Sequence, residues 1–259
     1  MSKKDKRRKE IIKLLQMRNG VTIKELASLF NVSEMTIRRD LQRLEAENFV
    51  NLVHGAAIYN PQIDSDKMIK EYNLVSAKNR HNEAKNRIGK YAASLIENND
   101  FIIIDTGSTT ERIIPSVGLE KKFKLLCYSS NIMISALSKP HIELTMGGGN
   151  YQPETMMFTS DSTIELINRS RASKAFISAA GIDENFGVTC MNDYEIDAKK
   201  AVLAASVEKI LLVDASKFGR VTPAYFAEID LFDHIITDKK LDPKWEEKIK
   251  KLGIKLTKV

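Results

Sequence analysis

Cysteine is all but missing: Cys127 and Cys190 are the only two in 259 residues, with no second thiol or histidine at zinc or redox spacing. That excludes a disulfide framework and suits a reducing compartment, so both are read as small buried or half-buried apolar residues. Long apolar runs are missing as well. Nowhere do about 18 consecutive apolar residues occur, and the basic N-terminus is not followed by an apolar stretch of signal length. The chain is expected to be soluble and cytoplasmic, with no membrane partner. Low-complexity tracts and internal repeats are absent, and 12 Gly with 6 Pro is ordinary for a globular protein. Neither GxxxxGK nor GxGxxG occurs, which excludes a Walker-type phosphate loop and a dinucleotide fingerprint. No metal and no cofactor is expected.

What the chain does have is a lopsided charge. Its net charge is +6, and residues 1–58 carry 12 Lys or Arg against 7 Asp or Glu, so +5 of the excess sits in the first fifth. The length exceeds one average domain. A small basic module on a larger, nearly neutral one points to an acidic polymer as partner of the first and a different ligand for the second.

Ile11, Ile12, Leu14 and Leu15 recur at helical spacing up to Asn19 and Gly20, which stop a first helix. Thr22 with Glu25 has the form of a capping box, followed by Leu26, Leu29 and Phe30 on one face of a short second helix. Asn31 and Val32 make the turn, and Ser33 suits the N-cap of a third helix running to about Glu47. At about 100° per residue, Ile37, Leu41 and Leu44 fall in one narrow sector and face the first two helices. Met35, Arg39 and Gln42 then point away, with Thr36, Arg38 and Arg43 on the flanks. Such a face suits major-groove reading: arginine pairs bidentately with guanine, glutamine with adenine, and threonine reaches a base edge or a phosphate. Ser33, Met35, Thr36, Arg38, Arg39, Gln42 and Arg43 are therefore the candidate DNA-binding residues. Asp40, near the core edge, is assigned to holding an arginine or a lysine of the first helix. The following "FVNLVHGAAIY" is β-prone with a bend at His54 and Gly55, as in the wing of a winged helix-turn-helix.

The stretch "LFNVSEMTIRRDLQRLE" resembles the N-terminal signature of DeoR-type bacterial repressors. Two wing positions depart from it: Leu52 stands where that family often has an arginine, and Ala56 where it has a second glycine. The resemblance, with these departures, implies double-stranded operator DNA as partner, its phosphates gripped by the third helix and the "SKKDKRRK" arm more than by the wing.

Residues 1–59 are thus read as the DNA-binding domain and residues 60–74, polar with one Pro, as a linker. A helix is expected from about Ser76 to Glu97, burying Ile88, Tyr91, Ala92, Leu95 and Ile96. Short apolar runs, "FIIID", "KLLCY", "IELTM", "KAFISAA", "KILLVD" and "HIIT", then alternate with helical patterns. Over residues 75–259 this predicts an α/β domain with a doubly wound, mostly parallel sheet. Ligands of such sheets sit at the carboxyl ends of strands. After the first run come Asp105, Thr106, Gly107, Ser108, Thr109 and Thr110, which suit either a phosphate cradle or an ordinary βα turn with hydroxyl capping. Later strand ends add Ser129 and Ser130, and the glycines Gly147, Gly148 and Gly149, where a plain loop or a close backbone approach to a ligand fits equally. Lys217, after Asp214 and Ser216 in "DASK", is assigned the positive charge a phosphate needs. Glu195 and Lys199, at i and i+4, are read either as a helix-surface ion pair or as part of the site. Asp183 is read as a turn residue.

This second part resembles the DeoR-type sensor domain, which is related to ribose 5-phosphate isomerases; "DTGSTT" is similar to their phosphate loop and "DASK" to their lysine motif. The resemblance implies a phosphorylated sugar effector, deoxyribose 5-phosphate or a close relative. The expected function is a transcriptional repressor of a sugar or nucleoside catabolic operon, with no catalytic residue. Its effector residues would be Asp105, Thr106, Gly107, Ser108, Thr109, Thr110, Ser129, Ser130, Gly148, Gly149, Glu195, Lys199 and Lys217. The alternative is a sugar-phosphate isomerase-like enzyme with an accessory basic module and Glu195 as its base. One winged helix makes few contacts for operator-level affinity, so a homo-oligomer, a dimer or higher, is expected.

Overall fold

The computed structural model describes residues 7–8, 10–12, 14–15, 20–46, 50–53, 56–59, 74 and 81–259. The expected bend at His54 and Gly55, the stop at Asn19 and the expected linker apart from Leu74 lie outside these residues.

The described residues between 7 and 15 are helical. A short strand, β1 (Val21–Thr22), leads into α1 (Ile23–Phe30). Thr22 starts this helix because its hydroxyl accepts from the Glu25 N–H at 3.2 Å, while the Glu25 carboxylate accepts from the Thr22 N–H at 2.9 Å; such a reciprocal cap contributes about 1 kcal/mol. The helix ends at Asn31, whose φ of 49° is in the left-handed region that asparagine tolerates. Next comes α2 (Glu34–Ala46), where Ser33 Oγ accepts from the Thr36 N–H at 3.3 Å. β2 (Val50–Val53) and β3 (Ala56–Tyr59) pair antiparallel, and β3 also pairs with β1, giving the sheet of a winged helix-turn-helix in the order β1-β3-β2. Ile11, Leu15, Leu26, Ile37, Leu41, Leu44 and Val50 form its buried core, each contributing about 1.5–3 kcal/mol. Leu29 departs from the expectation: it is 54% exposed. The buried stripe of α1 runs through Ile23, Leu26 and Ala27, which turns Leu29 away by roughly 110°.

The larger part opens with α3 (Asn82–Ser94). Residues 76–80 of the expected helix lie outside the described residues, and His81, immediately before α3, adopts φ 56°. Ile88, Ala92 and Ile96 are buried as expected, with Tyr91 and Leu95 partly so. In chain order follow β4 (Phe101–Ile104), β5 (Phe123–Cys127), α4 (Ser130–Leu137), β6 (Ile142–Met146), the hairpin of β7 (Asn150–Gln152) and β8 (Met157–Thr159), and α5 (Asp161–Arg169). Then come β9 (Ala172–Ser178), β10 (Gly181–Asp183), β11 (Gly187–Cys190), α6 (Ile196–Ala205), β12 (Ser206–Leu212), β13 (Ala224–Ala227), β14 (His234–Thr237), α7 (Pro243–Lys251) and β15 (Lys255–Lys258).

Seven strands form one parallel sheet in the order β15-β14-β12-β9-β4-β5-β6. Alternate residues feed two cores. Ile102 and Ile104 pack with Ile88, Ala92 and Ile132 on one face, and Ile103 and Ile177 with Ile167, Val202 and Ile249 on the other. Burial on both faces is why these strands read as unbroken apolar runs. The small antiparallel sheet β10-β11-β13 packs on the second face. Topology fixes where a ligand goes: the chain moves outward through β5 and β6 on one side of β4, and through β12, β14 and β15 on the far side of β9. The direction reverses between the neighbours β4 and β9, and the crevice at their carboxyl ends is the ligand position of such folds.

His234 opens β14 fully buried, with Nε2 2.8 Å from Thr257 Oγ1 and its ring edge-on to Tyr91. Burial, reinforced by Lys255, lowers its pKa from 6.5 to about 4. The neutral ring is thus the folded form; its stabilisation is complete above pH 6.5 and is lost as pH falls through about 4. Urea unfolding followed from pH 7 downward is expected to record this loss, and His234→Gln to flatten it.

Candidate functional site

By turning Ile37, Leu41 and Leu44 inward, α2 leaves Ser33, Met35, Arg38, Arg39, Gln42 and Arg43 exposed and Thr36 half-buried. The seven candidate DNA-binding residues therefore share one outward face and its N-terminal rim. Arg39 has no ion-pair partner among the described residues. Arg38 has Glu34 at 3.9 Å, both more than half exposed, an interaction worth little in water. Asp40 is buried and holds arginines, as assigned: its carboxylate accepts from Arg7 Nε at 2.7 Å and Arg8 Nε at 3.1 Å. This corrects the expectation for the basic arm at those two positions, whose guanidiniums turn onto Asp40 and not outward. The rest of the arm lies outside the described residues. In the wing, Leu52 packs on the small core and Ala56 is buried.

The crevice between β4 and β9 encloses a cavity of about 10 Å³, room for about one water. Thr106 and Gly107 come from the loop after β4, Ser178, Ala179 and Ala180 from the end of β9, Cys190 from β11, and Glu195 and Lys199 from the start of α6; Leu74 and Thr155 complete the wall. Gly107 is required there. A Cβ at that position would lie 2.5 Å from Ser178 Oγ, so loop and strand approach more closely than a side chain allows, and Ser178 Oγ donates to Thr106 O at 2.6 Å.

Asp105 lies beneath the cavity and outside its wall. Fully buried, its carboxylate accepts from Tyr128 Oη at 2.5 Å, the Ser178 N–H at 3.0 Å and Lys199 Nζ at 2.5 Å. Lys199 also donates to Ser178 O at 3.0 Å, stands 3.8 Å from Glu195 and lies 5.1 Å from the centre of the Phe226 ring. The pairing of Glu195 with Lys199 is therefore an interior feature; the helix-surface reading is overturned because α6 turns this face against the sheet. Burial works against the Lys199 charge, but Asp105 and Glu195 outweigh it and raise its pKa. Burial lifts Glu195 above its usual carboxylate value against the pull of Lys199, while its carboxylate accepts from the Asn192 N–H and side-chain amide at 3.1 Å each. Burial and the Asp105 charge hold Tyr128 well above its ordinary value. Burial, with Glu195 adding, moves the Cys190 thiol up to about 12.

At the far end of the loop, Ser108 Oγ accepts from Lys85 Nζ at 2.9 Å, and Lys85 is itself buried on α3. Thr110 Oγ1 donates to Asp105 O at 2.7 Å and Gly107 O at 3.1 Å, which holds the turn; Thr109 is buried beside it. The loop after β4 thus meets a buried cation at Ser108, outside the cavity wall, while Glu195 and Lys199 line the cavity itself.

The remaining sequence-predicted residues do not line the cavity. Ser129 and Ser130 begin α4, with the Ser130 N–H donating to Met156 O at 2.8 Å. Gly148 O accepts from the Ser160 and Thr163 hydroxyls, each at 2.7 Å. Gly149 has φ 135°, and a Cβ there would meet Thr159 O at 2.3 Å, so this loop packs closely on the start of α5. Lys217 is half-buried in the turn after β12, where Asp214 accepts from the Ser216 N–H at 3.0 Å. Asp183 accepts from the Asn185 N–H at 2.9 Å in a turn, as expected. Sequence reasoning missed Lys85, Tyr128, Thr155 and Ser178. Lys85 had a signal: it lies on the apolar stripe of Ile88 and Ala92, where a charge needs an interior partner.

Among the described residues there is no group of three or more His, Cys, Asp or Glu suited to a metal, and no helix is long and apolar enough to cross a membrane. Residues 7–62 match the family described as the DeoR-like helix-turn-helix domain, and residues 80–239 match the DeoR C terminal sensor domain. The chain is similar to the deoxyribose operon repressor of Escherichia coli (strain K12), 32% identical over 92% of this chain and 91% of that protein. It is also similar to the lactose phosphotransferase system repressor of Lactococcus lactis subsp. lactis, 30% identical over 93% of each. Among solved structures, the ribose 5-phosphate isomerase of Plasmodium falciparum overlaps 53% of this chain and 52% of its own, at 19% identity and a TM-score of 0.38.

Proposed function

The chain belongs to the DeoR family of helix-turn-helix regulators with a C-terminal sensor domain, and on that premise we propose that it represses a sugar or nucleoside catabolic operon under control of a phosphorylated sugar. The outward face of α2 supports the DNA half of this reading. The effector half is carried by one observation, the polarity of the crevice. Glu195 and Lys199 line the cavity, and Lys85 bonds to Ser108 further along the same loop, outside the cavity wall; a ligand reaching from the cavity along the loop would place hydroxyls at the first and an anion toward the second. The names of the two relatives, a deoxyribose operon repressor and a lactose phosphotransferase system repressor, fit a sugar-linked role.

The ligand is bound and not turned over in this reading, since the Lys199 ammonium is committed to Asp105 and the Ser178 carbonyl. Residues 1–59 act as the DNA-binding domain, 60–74 as linker and 75–259 as sensor, working in the cytoplasm as a homo-oligomer that presents two or more recognition helices to duplex DNA.

Thermal-shift screening against a panel of sugar phosphates, followed by calorimetry, tests the proposal. Deoxyribose 5-phosphate is expected to bind and deoxyribose to bind far more weakly; equal affinities would remove the anion end of the site. Lys85→Met is expected to cost about tenfold or more in affinity for the phosphorylated form, the worth of a hydrogen bond to a charged group, with apo DNA binding unchanged. Turnover of any sugar phosphate during the screen would favour the isomerase-like alternative.

A further inference from the structure

We infer that the open edge of the parallel sheet at β6, with the outer face of α4 beside it, is the surface on which a second copy of this chain docks, the two β6 strands pairing antiparallel across a two-fold axis. This rests on the homo-oligomer of the proposed function and gives it an interface.

The seven-stranded sheet has two edges, and they differ. At β15 the edge carries exposed lysines at both ends, Lys255 and Lys258, a usual device against recruitment of another strand. At β6 that device is missing. The strand has no proline and runs beside β5 without a bulge, and its single charge, Glu143, faces Lys124 of β5 at 3.3 Å. The Gly147 N–H donates to Cys127 O at 2.8 Å, so by alternation the backbone groups of Glu143 and Thr145 also point to β5, while the N–H and C=O of Leu144 and Met146 point out from the edge. Neither of those N–H groups has a partner among the described residues.

The surroundings of the edge match it. Residues 125–138 and 144–153 contain no Asp, Glu, Lys or Arg, although these types make up 29% of the chain. The first stretch holds α4, which packs on the sheet through Ile132 and Ala136 and leaves Ile134 63% and Leu137 68% exposed. The second holds most of β6 and all of β7, where Tyr151 is 47% exposed and its ring centre lies 5.2 Å from that of Phe158. Loss of charge around exposed aliphatic and aromatic side chains is the composition of an interface core.

Charge and symmetry select the occupant. Two copies that each carry +6 repel over much of their surface and approach at least cost where charge is absent. With a two-fold axis at Thr145, Leu144 of one copy faces Met146 of the other, and each such pair exchanges both of its N–H···O=C bonds. A pair built in this way carries two recognition helices, as a palindromic duplex site requires.

Sedimentation velocity of the full chain over a dilution series tests the interface. Thr145→Lys places an ammonium at the axis on an already exposed side chain, and Leu144→Pro removes an outward N–H without touching the ladder to β5. Each is expected to raise the dissociation constant about tenfold or more, through facing like charges or lost hydrogen bonds. Val207→Lys, at a 77% exposed position of β12, is expected to leave it unchanged, which separates the site from added charge. Circular dichroism matching the unsubstituted chain shows that the fold is kept; should proline unfold the strand, Thr145→Lys alone decides. Unaltered association of folded Thr145→Lys, or equal weakening by Val207→Lys, overturns this interface and leaves the homo-oligomer standing. An unsubstituted chain that sediments as a monomer throughout the series overturns both.

Discussion

Lys199→Met is expected to destabilise the sensor domain by about 3–5 kcal/mol, the usual cost of leaving one partner of a buried ion pair alone. The ammonium is 1% exposed and neutralises Asp105 at 2.5 Å, with Glu195 at 3.8 Å. Methionine fills much of the same volume, so little of the loss comes from an empty space. What remains is a fully buried Asp105 whose charge has, among the described residues, the Tyr128 hydroxyl and the groups of Ser178 as hydrogen-bond donors and no cation. Guanidinium unfolding of the variant measures the loss directly. The double variant Asp105→Asn/Lys199→Met is expected to recover most of it, because asparagine carries no charge in need of a counterion; a single variant within about 0.5 kcal/mol of the original, the range of ordinary surface substitutions, would show that water reaches the pair. Sugar-phosphate binding should be abolished in both variants, since Lys199 also lines the cavity.

Arg39→Ala is expected to erase sequence discrimination on DNA. Arg39 is exposed at the centre of the outward face of α2 and has no ion-pair partner among the described residues, so none of those residues competes for its guanidinium. A bidentate arginine–guanine contact carries about 1–3 kcal/mol of discrimination. With two recognition helices on a two-fold site the loss doubles to about 2–6 kcal/mol, roughly 30- to 10⁴-fold. Competition between a selected duplex and random duplex, at fixed salt, reads this ratio. Residual affinity should be non-specific and steeply salt-dependent, and ligand binding should match the original chain. Retention of the original discrimination would move base reading to another residue of the face, Gln42 or Arg38.

The elements that the sequence announced are those whose chemistry is local. Thr22 and Glu25 sit three residues apart and cap one turn, and the six apolar runs became β4, β5, β6, β9, β12 and β14: the inner strands because burial on both faces removes the need for alternation, the edge strand β6 by an alternating pattern. The seventh strand, β15, was not legible: "KLTK" pairs only with β14, so two of its residues remain exposed. The short strands β10, β11 and β13 escaped for a related reason, each being three or four residues long and stabilised by its neighbours more than by its own pattern. At the site, the loop from Asp105 to Thr110 was visible as a strand end rich in hydroxyls. That Lys85 bonds to it was not. Lys217 also follows a strand, but β12 is separated from β4 by β9, and strand order is settled by pairings across the sheet. Lys85 and Ser178 reach the loop from distant parts of the chain for the same reason.

Cys190 gives the sensor a property unconnected with sugars. Its thiol lines the cavity, donates toward Asn192 O at 3.7 Å and Ala224 O at 3.5 Å, and stays protonated up to about pH 12. Peroxides and electrophiles attack the thiolate, not the thiol. Oxidation at Cys190 is therefore disfavoured, and the cavity does not sense peroxide through this residue.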